Sequence, residues 1–421
     1  MTTPAPPKPA REVAPTPIEV RRVRRAFYGP AFVAAVAYVD PGNFATNFQA
    51  GANFGYLLVW VLVMANVVAM FIQYLSAKTG LATGKDLAAL CGQRLPKPVA
   101  AGLWVQAELV VMATDLAEFV GAAIGLNLLF GVPLFPAGLA TAVISFALLA
   151  LQSRGYRPFE LATTFLLAVI GFGFLYQLVA VGGPDGGQLA EGLVPRLAGT
   201  ESLTLAVGII GATVMPHVIY LHSAVTAGRL RPVGERAMRT ALRALRTDCV
   251  GGLGMAGLIN LAMLCVAAVL FHGAGGGFDG SLTGAHEHLG RLVGGMAALA
   301  FAVALLASGL SSSGVGTYAG QVVMDGFVRR RLPLLLRRGL TMLPALVVLA
   351  LGVSPDDALI GSQVVLSFGI PFALAPLVYF TSRPALMGTL VNRRVTTWTG
   401  AVICVVLSAL NLYLLVQLLF G

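Results

Sequence analysis

The chain has 421 residues, of which 57% are hydrophobic and only 11% charged, against roughly 45–50% and about 25% in soluble domains. A soluble fold of this length needs far more polar surface. A soluble enzyme, a disordered chain and a nucleic-acid-binding domain are therefore excluded, and the formal charge of +10 has to be read by its placement in a membrane protein.

Residues 1–26 are Pro-rich and basic, ending in Arg21-Arg22-Val23-Arg24-Arg25, and read as a disordered cytoplasmic tail. No small-residue cleavage site follows a short apolar core, so this is not a signal peptide. Residues 27–421 read as one transmembrane domain. Eleven apolar stretches of crossing length follow, at 28–52, 54–77, 99–128, 134–152, 159–182, 202–227, 247–271, 292–317, 335–353, 358–381 and 396–420, each long enough for a bilayer. The 183–200 and 273–290 loops are Gly-rich and expected to be flexible.

With the N-terminus inside, 26 of the 28 Lys and Arg residues fall on the inner side, and only Arg196 and Arg291 fall outside. Such asymmetry orients the chain with a cytoplasmic N-terminus and an outer C-terminus. The positive charge then reports topology and contact with anionic lipid, with no nucleic acid as partner. The four cysteines, Cys91, Cys249, Cys265 and Cys404, form no CxxC pair and read as small apolar residues.

Span 1 contains Asp40-Pro41-Gly42-Asn43 and span 6 contains Met215-Pro216-His217. Proline removes a backbone donor and glycine loosens the chain, so both spans are expected to break at Pro41, Gly42 and Pro216. Unwound backbone at that depth has to be buried in protein or line a cavity. Breaks in the first and sixth spans divide the chain into two five-span units of opposite orientation, about 28–182 and 202–381, with helix 11 at about 396–420. This is the plan of inverted-repeat transporters, whose sites lie where the broken helices meet.

Asp40 offers a hard anionic oxygen and Asn43 an amide oxygen, and unwound carbonyls near Ala37 and Ala212 can add more. Oxygen alone would suit Mg²⁺, Ca²⁺ or Mn²⁺. The thioether of Met215 is a soft ligand that favours Fe²⁺, Mn²⁺, Co²⁺ or Cd²⁺. His217 follows the second proline and is expected near Asp40, with an ordinary pKa of about 6.5 that suits proton handling, although ligation or a structural hydrogen bond is also open to it. Span 3 carries Glu108, Asp115 and Glu118 on roughly one helical face. Intramembrane carboxylates are functional candidates, and a chain of them suits proton relay. Arg337 and Arg338 open span 9 on the inner side, where they could pair with Asp115 or Glu118. Gln73 and Gln363 read as hydrogen-bonded gates or supports, and His222 as structural or lining the inner vestibule. His286-Glu287-His288 reads as part of a solvated loop.

The Asp40-Pro41-Gly42-Asn43 and Met215-Pro216-His217 stretches resemble the two signature motifs of the Nramp family, proton-coupled divalent-metal transporters of the LeuT-like fold. The likeness runs from about residue 28 to the end and takes in Gln73, Ala113-Thr114-Asp115-Leu116-Ala117-Glu118 and Gln363. It implies an all-α membrane protein with eleven transmembrane helices and helices 1 and 6 unwound at the midplane. It implies Asp40, Asn43, Met215 and the Ala212 carbonyl as metal ligands, with Ala37 and Gln363 joining in some conformations. It also implies a polar network from the site to the cytoplasm. The transported species expected are Mn²⁺, also Fe²⁺, Cd²⁺ and Co²⁺, with H⁺; no resident cofactor, obligate protein partner or catalysis is expected. A bacterial inner membrane is assumed, since nothing marks another address. A Mg²⁺ carrier is disfavoured by Met215, an amino-acid carrier by Asp40, and a membrane-embedded enzyme by the lack of HExxH, GxSxG or P-loop motifs. Discontinuous helices in inverted repeats favour alternating access over a channel.

Overall fold

A computed structural model of the chain describes residues 26–152, 156–229, 232–272, 280–328 and 333–420. The tail expected at the N-terminus lies outside them, save Ala26. All regular structure among the described residues is helical. Span 1 is carried by α1 (Pro30–Ala37) and α2 (Pro41–Phe54), followed by α3 (Val59–Thr83), the short α4 (Leu87–Arg94), α5 (Lys97–Phe130), α6 (Leu134–Gln152) and α7 (Tyr156–Ala180). After α8 (Gly186–Glu191), span 6 is carried by α9 (Gly199–Thr213) and α10 (Pro216–Ala227). The rest comprises α11 (Glu235–Phe271), α12 (Leu282–Leu292), α13 (Gly295–Val328), α14 (Leu334–Ala350), α15 (Pro355–Thr381), α16 (Pro384–Met387) and α17 (Arg394–Phe420). Eight helical stretches among the described residues are long and apolar enough to cross a membrane. The other three expected spans fall on the α1–α2 pair, α6 and α14.

Two expectations about loops are corrected. Parts of the 183–200 and 273–290 segments are helical, at Gly186–Glu191 and from Leu282 onward, each helix with a side-chain cap. Asp185 accepts from the Gly187 and Gln188 N–H groups at 2.7 and 3.0 Å to start α8, and Ser281 accepts from Gly284 N–H at 2.9 Å to start α12. Helix α12 buries Leu282, Ala285 and Leu289 along one face against α13; residues 273–279 lie outside the described residues. The arginine-rich 229–246 stretch is likewise helical from Glu235 onward. Its apolar residues Ala237, Ala241, Ala244 and Leu245 recur at helical spacing and bury against Phe27, Ala77 and Leu81.

The centre of the molecule is α5 lying along α13. Small residues let the two backbones approach: a methyl on Gly309 would stand 2.8 Å from Ala122 and from the Glu118 carbonyl oxygen, and one on Gly125 would stand 2.9 Å from Leu306. Helix α2 packs into this centre through rings. Phe44 and Phe48 meet Phe174 of α7 and Phe301 of α13 with centroids 5.1 to 6.2 Å apart. The outer helices leave apolar side chains such as Phe165, Phe172 and Val395 bare, as a hydrocarbon surrounding allows.

Candidate metal centre

Both helix breaks follow from one rule of backbone chemistry. In a continuous helix the carbonyl of residue i accepts from the N–H of residue i+4. For Ala37 that residue is Pro41, and for Ala212 it is Pro216, and proline has no N–H. Each alanine carbonyl thereby loses its i+4 donor, Ala37 at the last residue of α1 and Ala212 one residue before the end of α9.

At the first break the freed groups are mostly satisfied. Tyr38 and Val39 N–H close the last turn onto the Ala35 and Val36 carbonyls at 3.1 and 3.3 Å. The Tyr38 carbonyl accepts from Asn260 Nδ2 of α11 at 2.8 Å, and the Val39 carbonyl from Ser308 Oγ of α13 at 2.6 Å. Asp40 and Asn43 then form a reciprocal capping box: Asn43 N–H donates to Asp40 Oδ1 at 2.8 Å, and Asp40 N–H to Asn43 Oδ1 at 3.2 Å. The box leaves Asp40 Oδ2 buried with no described hydrogen-bond partner. Asn43 Oδ1 keeps a second lone pair.

The second break is barer. Val214 N–H closes onto the Ile210 carbonyl at 2.7 Å, and α10 restarts at Pro216 with Met215 in the cap position and no side-chain cap. The Thr213 hydroxyl is buried and unpartnered. His217 Nδ1 pairs with Thr114 Oγ1 of α5 at 3.1 Å, while its Nε2 has no described partner.

Helix α15 joins the two breaks through one residue. A methyl on Gly42 would fall 1.8 Å from Gln363 Nε2, and one on Gly211 would fall 1.9 Å from the Gln363 carbonyl oxygen. Residue 363 therefore touches both. Helix α5 backs them: Gly121 lies under Pro41, where a methyl would stand 2.0 Å from its Cβ, and Thr114 meets His217. Asp40, Asn43, Ala212, Met215 and Gln363 are fully buried, and Ala37 is buried at 1% exposure. The structure thus buries each of the expected metal residues and brings the two breaks together at residue 363. Among the described residues no three His, Cys, Asp or Glu side chains converge to hold a metal.

The α5 carboxylates divide unequally. Arg338 takes Asp115 at 2.7 Å and also bonds Ser313, which in turn lies 3.3 Å from Ser145. Arg337 reaches Glu108 rather than Asp115 or Glu118, at 2.8 Å, with Trp104 Nε1 donating to the same carboxylate at 3.2 Å. Both Glu118 oxygens are buried and unpartnered, 2.9 Å from where a methyl on Gly316 would stand. Glu118 lies about one turn from Gly121, and so from Pro41. A second buried chain runs His222 Nδ1 to Gln73 Oε1 at 3.0 Å and Gln73 Nε2 to Tyr38 OH at 2.7 Å, reaching the first break from α10. His288 bonds its own helix at the Gly284 carbonyl, at 2.9 Å, and packs on Phe271; Glu287 faces Arg291 at 3.8 Å. Asn260, Ser308, Tyr38 and Thr114 were not singled out as site residues. An amide amid the apolar run of α11 was a readable signal for Asn260; a serine hydroxyl gives none.

Broken helices meeting at a buried, polar point define a LeuT-like membrane transporter fold. A crystal structure of a mutant Eremococcus coleocola manganese transporter matches it with a TM-score of 0.85 at 34% identity, covering 95% of this chain and 88% of that one. The fold is shared, at 15% identity and a TM-score of 0.62, with Mhp1, a nucleobase-cation-symport-1 family transporter; that match covers 93% of this chain and 91% of that one. The model of the family described as natural resistance-associated macrophage protein-like, Nramp, matches residues 31–417. A relative from Deinococcus radiodurans, called divalent metal cation transporter MntH, is 53% identical over 403 residues, 95% of this chain and 92% of its own length. One of the same name from Bacillus subtilis is 49% identical over 392 residues, covering 93% and 92%. The chain belongs to the Nramp family.

Proposed function

We propose that this chain imports divalent transition-metal ions, Mn²⁺ and Fe²⁺ foremost and Cd²⁺ and Co²⁺ besides, with proton symport by alternating access. Its place is the bacterial inner membrane, with the N-terminus cytoplasmic and the C-terminus outside. The observation that carries the reading is the buried Asp40 Oδ2, which has no described hydrogen-bond partner, at a helix break where Pro41 removes the donor to the Ala37 carbonyl. A buried carboxylate oxygen without a described hydrogen-bond partner is a site where a cation would be held. Asp40, Asn43, Met215 and the Ala212 carbonyl serve as ligands, with Ala37 and Gln363 completing the shell in some states. The names of the family relatives, divalent metal cation and manganese transporters, support the substrate class.

The thioether gives selectivity, because it offers nothing to Mg²⁺ or Ca²⁺ and does bind the softer ions. Protons leave by way of Asp40, His217, Glu118, Asp115 and Glu108, with Arg337 and Arg338 holding the inner carboxylates. With the inside negative, each positive charge gains about 2.3 kcal/mol per 100 mV on entry, so a divalent ion with one proton gains roughly three times that. No catalytic step, resident cofactor or obligate protein partner belongs to this reading.

The test is paired uptake of Mn²⁺ and H⁺ into liposomes across a pH and voltage series, with calorimetric titration by Mn²⁺, Mg²⁺ and leucine. Mn²⁺ binding without Mg²⁺ or leucine binding, and proton entry that follows Mn²⁺, are expected. Binding of leucine, or of Mg²⁺ as tightly as Mn²⁺, would overturn the substrate; Mn²⁺ uptake without proton movement would overturn the coupling.

A further inference from the structure

Helix α11 begins well before its apolar run, and its first three turns are two-faced. Arg236, Arg239, Arg243 and Arg246 are all exposed and are spaced by three, four and three residues, which places them on one side of a helix over about 15 Å. The lone acid in this turn region, Glu235, pairs with Arg239 at 2.5 Å; Arg236, Arg243 and Arg246 have no ion-pair partner among the described residues. Further along the same side the stripe turns apolar, at Val250 and Leu258, which are 53% and 68% exposed. The change from guanidinium to bare hydrocarbon between residues 246 and 250 is the change expected where a helix enters a bilayer, with Arg246 nearest the apolar run and Arg236 about 15 Å further out.

The opposite side of this stretch carries the start of α1. Asp248 Oδ1 accepts from Gly29 N–H at 2.9 Å and Oδ2 from Ala31 N–H at 2.8 Å, and on the arginine side itself Tyr28 OH meets the exposed Thr247 Oγ1 at 2.8 Å. Phe27 is buried among Ala241, Leu245 and Ala77. Helix α1 is eight residues long and ends at Ala37, so a shift at its first residue is passed to the candidate metal centre about 12 Å away.

We propose that the arginine stripe of α11 is a binding surface for the anionic phospholipid headgroups of the cytoplasmic leaflet, and that lipid held there fixes the position of α1. The choice of leaflet rests on the orientation given under Proposed function; the binding itself does not. Charge complementarity names the headgroup, and the apolar continuation names a lipid over a soluble anion, because an acyl chain lies along Val250 and Leu258 when the phosphate sits on the arginines. Juxtamembrane basic residues gain roughly fivefold in affinity for an anionic surface apiece.

The test uses the purified full chain in phosphatidylcholine vesicles with and without phosphatidylglycerol, and measures the lipid that stays bound after extraction together with Mn²⁺ uptake. Two variants are compared: one carrying Arg236→Gln, Arg239→Gln, Arg243→Gln and Arg246→Gln, and one with Lys at the same four positions. The unmodified chain and the Lys variant retain phosphatidylglycerol over phosphatidylcholine and take up Mn²⁺ several-fold faster when it is present. The Gln variant loses the preference by roughly 600-fold, about fivefold for each of the four charges removed, and ignores phosphatidylglycerol in uptake. An undiminished preference in the Gln variant overturns the proposal, as does uptake by the unmodified chain that is equal in both vesicles. Inorganic phosphate displacing the lipid at low concentration overturns it too, by showing a soluble-anion site. Mn²⁺ titration of the same samples separates these outcomes from a failure of the metal site, since none of the four arginines touches it.

Discussion

At the first break the chain restarts its helix on a carboxylate; at the second it restarts on a thioether with no side-chain cap. The first is fixed by hydrogen bonds: the Asp40–Asn43 box, Asn260 on the Tyr38 carbonyl and Ser308 on the Val39 carbonyl. The second is fixed mainly by packing, with Gly211 pressed on the Gln363 backbone and Pro216 on Gly369, and by the His217–Thr114 pair. The charge therefore sits in the half held by polar bonds, and the polarizable atom in the half held by contact. That division suits their tasks. A buried charge needs a fixed polar frame, whereas a thioether tolerates an apolar pocket.

The sharpest way to break this contrast is Asp40→Asn. Asparagine caps helices about as well as aspartate, so α2 keeps its start and the variant should melt within a few degrees of the unmodified chain. The charge is gone, and Mn²⁺ affinity by calorimetry should fall by roughly 100-fold or more, since ligand charge sets affinity for hard cations. Near-normal Mn²⁺ binding by a folded Asn variant would mean the carboxylate serves only as a cap.

Next in size is a pair of glycine variants. At Gly211 a methyl meets the backbone oxygen of residue 363; at Gly42 it meets the buried Gln363 side chain, from Nε2 at 1.8 Å to Cγ at 2.7 Å. Backbone cannot step aside, so Gly211→Ala should cost about 1–3 kcal/mol of stability. Gly42→Ala, relieved by turning a side chain, should cost less than Gly211→Ala but displace Gln363, lowering uptake several-fold. A larger stability loss at Gly42 than at Gly211 would reverse the assignment of which break is held by packing.

Eight of the expected spans, and the helix ends at Pro41 and Pro216, were legible because hydropathy and proline are local signals. Asp40, Pro41, Gly42 and Asn43 lie together in sequence, and so do Met215, Pro216 and His217. What brings them together is not local. Asn260 is 222 residues from the carbonyl it caps and Ser308 is 269; the intramembrane amide marks Asn260 as polar but not which carbonyl it caps, and Ser308 is not distinguishable in sequence from a serine that bonds its own helix. The arginine pairing shows the same limit. Arg337 and Arg338 were expected to find Asp115 or Glu118, yet successive residues on a helix point about 100° apart, and the second arginine alone reaches Asp115 while the first goes to Glu108. Helices in the segments between spans escaped notice because their apolar faces are short, as Leu282, Ala285 and Leu289 show.

A smaller effect is expected from Met215→Ala. The oxygen ligands remain, so Mn²⁺ uptake persists, but the soft contact is lost and discrimination against Ca²⁺ should fall by about tenfold, the order expected from one ligand of changed softness. Competition uptake in proteoliposomes reads it directly. An unchanged ion preference would reduce Met215 to a packing residue and leave the second break contributing only its backbone carbonyl.

The finest test compares two hydroxyls, one at each break. Ser308 donates to the Val39 carbonyl at 2.6 Å, so Ser308→Ala leaves that buried acceptor without a donor and should cost about 1 kcal/mol or more. The Thr213 hydroxyl is buried with no described partner, so Thr213→Val, which keeps its shape and removes an unmatched polar group, should be neutral or slightly stabilising. Thermal melts of the two variants in the same detergent give the difference. Equal losses would mean that the second break is as dependent on hydrogen bonds as the first, with Thr213 supplying one in the working protein, and the contrast between a bonded half and a packed half would not hold.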